Sequence, residues 1–138
     1  MRKTVAAALA ATLSLLVSSC GGDGGRGGAP NPGARVYSQH CMACHQRNGR
    51  GLGETQPSLV GTPTVSGDPA ALIAWVAFGV RPPGLVRGRS LVVMPHFHWL
   101  SDDDLAAVLT HVRSSFGNDY PPITAAMVAE VRAAQGAR

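Results

Sequence analysis

Cys41-Met42-Ala43-Cys44-His45 is the densest run of reactive side chains in a sequence of 138 residues. On a helical turn, positions i, i+3 and i+4 share a face, so both thiols and the imidazole project the same way. Thiols spaced like this can each add across a vinyl group of one porphyrin. The adjacent imidazole then lies under the metal with a ring nitrogen aimed at it. In an exported chain, C-x-x-C-H is the attachment signal of a c-type haem. Two other chemistries use similar residues. A dithiol redox centre needs a strand–helix–strand setting, whereas the flanking sequence has helical periodicity and no strand-rich run. A zinc site needs a second ligand pair, and His96 and His98, one residue apart, fit that poorly.

Export is itself legible at the start of the chain. Met1-Arg2-Lys3 is basic, Thr4 to Val17 is apolar, and Val17-Ser18-Ser19-Cys20 looks like a bacterial lipobox. Residues 1–19 therefore read as a lipoprotein-type signal peptide and Cys20 as the acylated first residue of the mature chain. A third cysteine left over from the C-x-x-C pair is otherwise unexplained in an oxidising compartment. Residues 20–32 are rich in Gly and Pro and read as a flexible tether with a reach of about 20 Å by random-coil scaling. The expected location is the periplasmic side of a bacterial membrane, held there by lipid.

Three helices must position the motif. Val36, Tyr37, His40, Cys41 and Cys44 give the first a ligand-facing side. Asp68 and Pro69 open a second, with Leu72, Trp75, Val76 and Gly79 as its inner stripe. Ser101 and Asp104 start a third with three acids in its first turn. Its stripe is Leu105, Val108, Leu109, Val112 and Phe116, and Gly117 stops it. After Asn118, Thr124 caps a short helix in the tail 119–138, with Met127, Val128 and Val131 inward.

In this order, the segments from Gly33 to Asn118 resemble the class I c-type cytochromes. The resemblance rests on Gly33–His40 leading into the motif, on Gly49, Gly51 and Pro57-Ser58-Leu59-Val60-Gly61 after it, on Met94-Pro95-His96-Phe97, and on Leu100–Leu105 running on to Asn118. It implies an all-α, cytochrome c-like fold, with three to five helices around one covalent haem c in a domain of residues 33–118. Cys41 and Cys44 would carry the thioether bonds and His45 would bind the iron. The family's second axial ligand is a Met sulfur, which falls on Met94, with His96 and His98 as rivals. The carbonyl of Pro57 would accept a hydrogen bond from the outer nitrogen of His45. Gly33 and Tyr37 would cross the helix of Val108, His111 and Val112, and His111 departs from the aromatic usual there. Arg47, Arg50, Arg81, Arg87 and Arg89 would form a basic docking rim, unless they are ordinary solvated surface; His40 reads as an exposed helix residue. Without the macrocycle such a short domain has a thin core, so the haem-free chain is expected to be largely unfolded.

The functional expectation is a single-electron carrier and not an enzyme, because an iron bound on both faces has no open position. Its donor would be a quinol-oxidising complex or a dehydrogenase, and its acceptor a terminal oxidase or reductase. The alternatives are a cytochrome subunit of a respiratory dehydrogenase, oxidase or reductase complex, and a haem-based sensor. Net charge falls from +4 to +2 once Arg2 and Lys3 are removed, and no basic run alternates with aromatics, so nucleic acid is not an expected partner. No apolar run reaches the roughly 18 residues that span a bilayer.

Overall fold

The structure, a computed structural model, describes residues 31–82, 85 and 93–136. Residues 1–30, which hold the expected signal peptide, Cys20 and most of the expected tether, lie outside these residues, as do Pro83, Gly84, Arg87, Gly88 and Arg89. Among the described residues six helical elements follow one another: α1 (Pro32–His40), α2 (Met42–His45), α3 (Pro63–Ser66), α4 (Pro69–Phe78), α5 (Asp102–Ser114) and α6 (Ala125–Gly136). α2 and α3 are single turns, so four longer helices make the body. Among the described residues the only β feature is an isolated bridge between Leu52 and Gln56. The all-helical expectation is met.

Composition places Asn31 and Pro32 in the tether, but they open α1. The Asn31 side chain accepts from the backbone N–H groups of Gly33 and Ala34, and Pro32 occupies the first helical turn. Asn at the cap followed by Pro is a helix start in its own right, since Pro lacks only an N–H that would be orphaned anyway. α1 then crosses α5 at Gly33. A Cβ at this position would stand 2.1 Å from the carbonyl oxygen of Ala107, so only hydrogen lets the backbones meet. One turn on, the Tyr37 ring packs edge-on to His111 with centroids 5.5 Å apart, and lies 5.2 Å from Phe116.

α4 starts and stops as its sequence dictates. The Asp68 carboxylate accepts from Ala70 and Ala71 N–H, and Gly79, left-handed at φ 71°, ends the helix. Its buried surface is wider than a single stripe. Ile73 and Ala77 are fully enclosed, whereas Trp75 is half-buried and Gly79 belongs to the cap. The reason is α6, which packs on α4 and α5. Val128 and Val131 are buried there, and Thr124 Oγ1 accepts from Met127 N–H at 3.3 Å to start α6.

α5 begins on Ser101, whose Oγ accepts from Asp104 N–H at 3.1 Å. It ends at Ser114, so Phe116 lies beyond the helix in a left-handed turn at φ 62° and not on its stripe. That turn swings the Phe116 ring back onto Tyr37 and His111. Two buried polar residues fasten the end of α5. Arg113, 2% exposed, donates to the carbonyls of Val65, Gly67 and Pro121. Asn118 accepts from Gly61 N–H and donates to the carbonyls of Leu59 and Val112. All of their polar capacity used here goes to backbone groups, so the loop from 59 to 67 is locked to α5.

Burial holds the imidazole pKa of His111 below its usual value. The folded state thus favours the neutral ring, and the unfolded chain takes up the proton first as pH falls. Stability contributed by the neutral ring is complete above pH 6.5 and declines below it. Thermal unfolding of the haem-loaded protein should therefore show a decline from pH 6.5 downward that is smaller in His111→Phe. An unchanged pH slope in that variant would remove the assignment.

Candidate haem site

A cavity of about 410 Å³ opens between the motif, the 54–65 loop, α4 and the segment before α5. Cys44 and His45 line it from α2, Cys41 from the junction of α1 and α2, and Met94 from the segment before α5. Most of the remaining wall is apolar, including Leu59, Val65, Leu72, Val76 and Phe97. α1 runs almost directly into α2, with His45 N–H donating to Cys41 C=O at 2.9 Å. That continuity places the two thiols and the ring on one wall.

His45 is 8% exposed, and its Nδ1 lies 3.0 Å from the carbonyl oxygen of Pro57. Donation from Nδ1 fixes the tautomer and leaves the Nε2 lone pair available to a metal. Burial lowers the His45 pKa, and the Pro57 contact partly opposes this. The ring is therefore held in its neutral, ligating form. Burial, reinforced by the neighbouring Cys44, pushes the Cys41 thiol up to about 11. That sulfur is thus kept as a thiol and not as a reactive thiolate. Among the described residues no group of three or more His, Cys, Asp or Glu could hold a bare metal ion.

The Pro57 carbonyl reaches the ring because of Gly51. At φ 67°, Gly51 donates its N–H to His45 C=O at 3.0 Å. A Cβ there would stand 2.1 Å from Gln56 O and 2.7 Å from Pro57 O. Any side chain would push the 56–57 backbone off the imidazole. Tyr37 adds a second fastening, donating its hydroxyl to Gln46 C=O at 2.6 Å; burial raises its pKa to about 12.

The histidine rivals lie elsewhere. His96 and His98 do not line the cavity, and the His96 ring lies against the backbone of Gly79, where a Cβ would meet Nε2 at 2.1 Å. His40 is exposed yet lines the cavity rim, edge-on to the exposed Trp99 ring at 5.0 Å. Arg47 and Arg50 are exposed beside the motif, and Arg81, over Trp75 at 5.2 Å, also lines the cavity. The role of Gly51 rests on positive φ and that of Asn118 on distant carbonyls. Only the glycine itself is a local signal of either.

A mostly apolar slot that also carries two thiols, a neutral buried imidazole, a thioether, the Arg81 guanidinium, the Glu54 carboxylate and a few hydroxyls fits a planar apolar ring with vinyl groups, a central iron and peripheral carboxylates. Known proteins point the same way. Residues 28–112 match the family described as cytochrome C oxidase, cbb3-type, subunit III. The chain is 40% identical over 98 residues to the cytochrome c subunit of the quinone alcohol dehydrogenase of Gluconobacter oxydans, covering 70% of this chain and 20% of that one. It is 35% identical over 111 residues to the gluconate 2-dehydrogenase cytochrome c subunit of Pantoea cypripedii, covering 78% of this chain and 25% of that one. It thus spans a quarter or less of the length of these dehydrogenase subunits. Cytochrome c-552 of Thermus thermophilus is matched over most of both chains, at 33% identity over 120 residues and 80% of each. With a slot of this chemistry and a match of this extent, the chain belongs to the cytochrome c family of cbb3-type oxidase subunit III, electron-transfer proteins that carry covalent haem c.

Proposed function

We propose that the protein is a lipid-anchored single-electron carrier with one haem c, working at a membrane surface outside the cytoplasm. The observation that carries this reading is the sharing of one apolar cavity by Cys41, Cys44, His45 and Met94. Cys41 and Cys44 would hold the macrocycle through thioether bonds, and His45, oriented by Pro57, and Met94 would bind its iron. When bound, the haem supplies an iron that cycles between ferric and ferrous states. The chain's own part is to keep water from that iron with Leu72, Val76 and Phe97, to hold the imidazole neutral, and to meet the peripheral carboxylates with Arg81. Cys20 carries the lipid, and the chain from there to residue 30 serves as the tether between the lipid and the domain that begins at Asn31. Among the described residues no helix is long and apolar enough to cross a membrane.

The donor is a quinol-oxidising complex or a dehydrogenase, and the acceptor a terminal oxidase or reductase. The dehydrogenase-subunit alternative is favoured by the 40% identity to a quinone alcohol dehydrogenase cytochrome subunit. Expression in a host that matures c-type cytochromes tests the carrier reading. One pyridine haemochrome equivalent per chain, haem retained after denaturation, and release from the membrane fraction by Cys20→Ser are expected. No covalent haem would overturn it, and stable co-purification with a large flavin, quinone or molybdenum protein would replace the free carrier with a subunit.

A further inference from the structure

The segment that brings Met94 to the cavity is fastened from outside by the C-terminal helix. Arg132 on α6 donates Nε to Asp102 Oδ1 at 2.6 Å, Nη1 to His98 C=O at 2.7 Å and Nη2 to Leu100 C=O at 2.6 Å. The side chain is 27% exposed, and its guanidinium lies 6.0 Å from the Phe78 ring. One planar cation thus ties two backbone carbonyls to the first turn of α5, a geometry only a guanidinium fork supplies. From there the fastening runs inward. Leu100 N–H donates to Phe97 C=O at 3.1 Å, and Phe97 N–H to Val76 C=O on α4 at 3.0 Å. Phe97 is 7% exposed and lines the cavity three residues after Met94.

We propose that Arg132 is a positioning residue for the Met94 thioether: it holds the foot of the segment closed, so that a competing ligand must first open this fork to take the sulfur's place. The inference rests on the reading of Met94 as an axial residue. A neutral thioether is a weak donor to ferric iron, and its hold depends on how high the segment keeps its effective concentration. Charge-assisted hydrogen bonds to two carbonyls and a carboxylate set that concentration from a helix that never touches the cavity.

The test is titration of the haem-loaded, ferric full chain with imidazole, followed by the near-infrared sulfur-to-iron band. Arg132→Met keeps most of the apolar stem and should bind imidazole at least about tenfold more tightly than the parent, a change worth about 1.4 kcal/mol. Thr110→Val removes the hydroxyl that pairs with both Ile123 N–H and C=O. It loosens the start of the tail without touching the fork, and should lower the melting temperature with imidazole affinity unchanged. An Arg132→Met protein that melts lower but binds imidazole like the parent would overturn the proposal, as would an equal gain in Thr110→Val. Should Arg132→Met fail to accumulate, Asp102→Asn weakens the same fork and must shift affinity in the same direction, or the proposal falls. A parent protein without the band, or a band that survives in Met94→Ala, would instead sink the axial assignment, and this inference with it.

Discussion

Replacing Cys41 and Cys44 with Ala should yield a haem-free chain whose far-ultraviolet circular dichroism shows little helix. The magnitude follows from the cavity. A slot of about 410 Å³ is far too large for its surrounding side chains to fill by relaxation. Domains of ordinary size have only about 5–15 kcal/mol of net stability. The walls of the slot, Leu72, Val76 and Phe97 among them, are also the inner faces of α4 and the Met94 segment. Losing their filling removes what α4 and that segment pack against. The α1–α5 crossing at Gly33 is the part most able to persist, because its contacts do not pass through the slot. A native-like helical spectrum and a cooperative melt without haem would reject this dependence.

Met94→Ala should leave the fold and the covalent haem in place while changing what the iron does. The sulfur-to-iron band should vanish, the reduction potential should fall by a sizeable part of the roughly 0.8 V span that axial ligands control, and the reduced protein should bind carbon monoxide rapidly. A thioether favours ferrous iron over ferric, so its loss lowers the potential. His96 is poorly placed to substitute, since its ring lies against Gly79. If the band and the potential are retained, the axial ligand is another residue. If the parent already binds carbon monoxide rapidly at neutral pH, the protein is closer to a sensor than to a carrier.

Local chemistry wrote much of this molecule into its sequence. Asp68 with Pro69 and Ser101 with Asp104 announced two helix starts at the right residues, because caps are decided within four positions. The cavity-lining trio Cys41, Cys44 and His45 was visible in the same way, since its geometry is one helical turn. What spacing could not show depends on contacts between remote segments. The full enclosure of Ile73 and Ala77 required knowing that α6 covers α4. Phe116 fits the α5 stripe by period, yet the helix stops two residues short of it. Arg113 and Arg132 read as ordinary basic residues near helix ends, and only the fold reveals the carbonyls they serve.

The acceptor that orients His45 belongs to the main chain, so no replacement at position 57 deletes it. Mutation can tilt or lengthen that contact only through residues that set the local backbone path, Gly51 foremost. Ring orientation, and with it the electron density offered to the iron, is therefore buffered against most single-codon changes. On the proposed reading, inherited variation in potential should enter instead through the Met94 side, where one side chain would be the ligand and another would hold its segment shut.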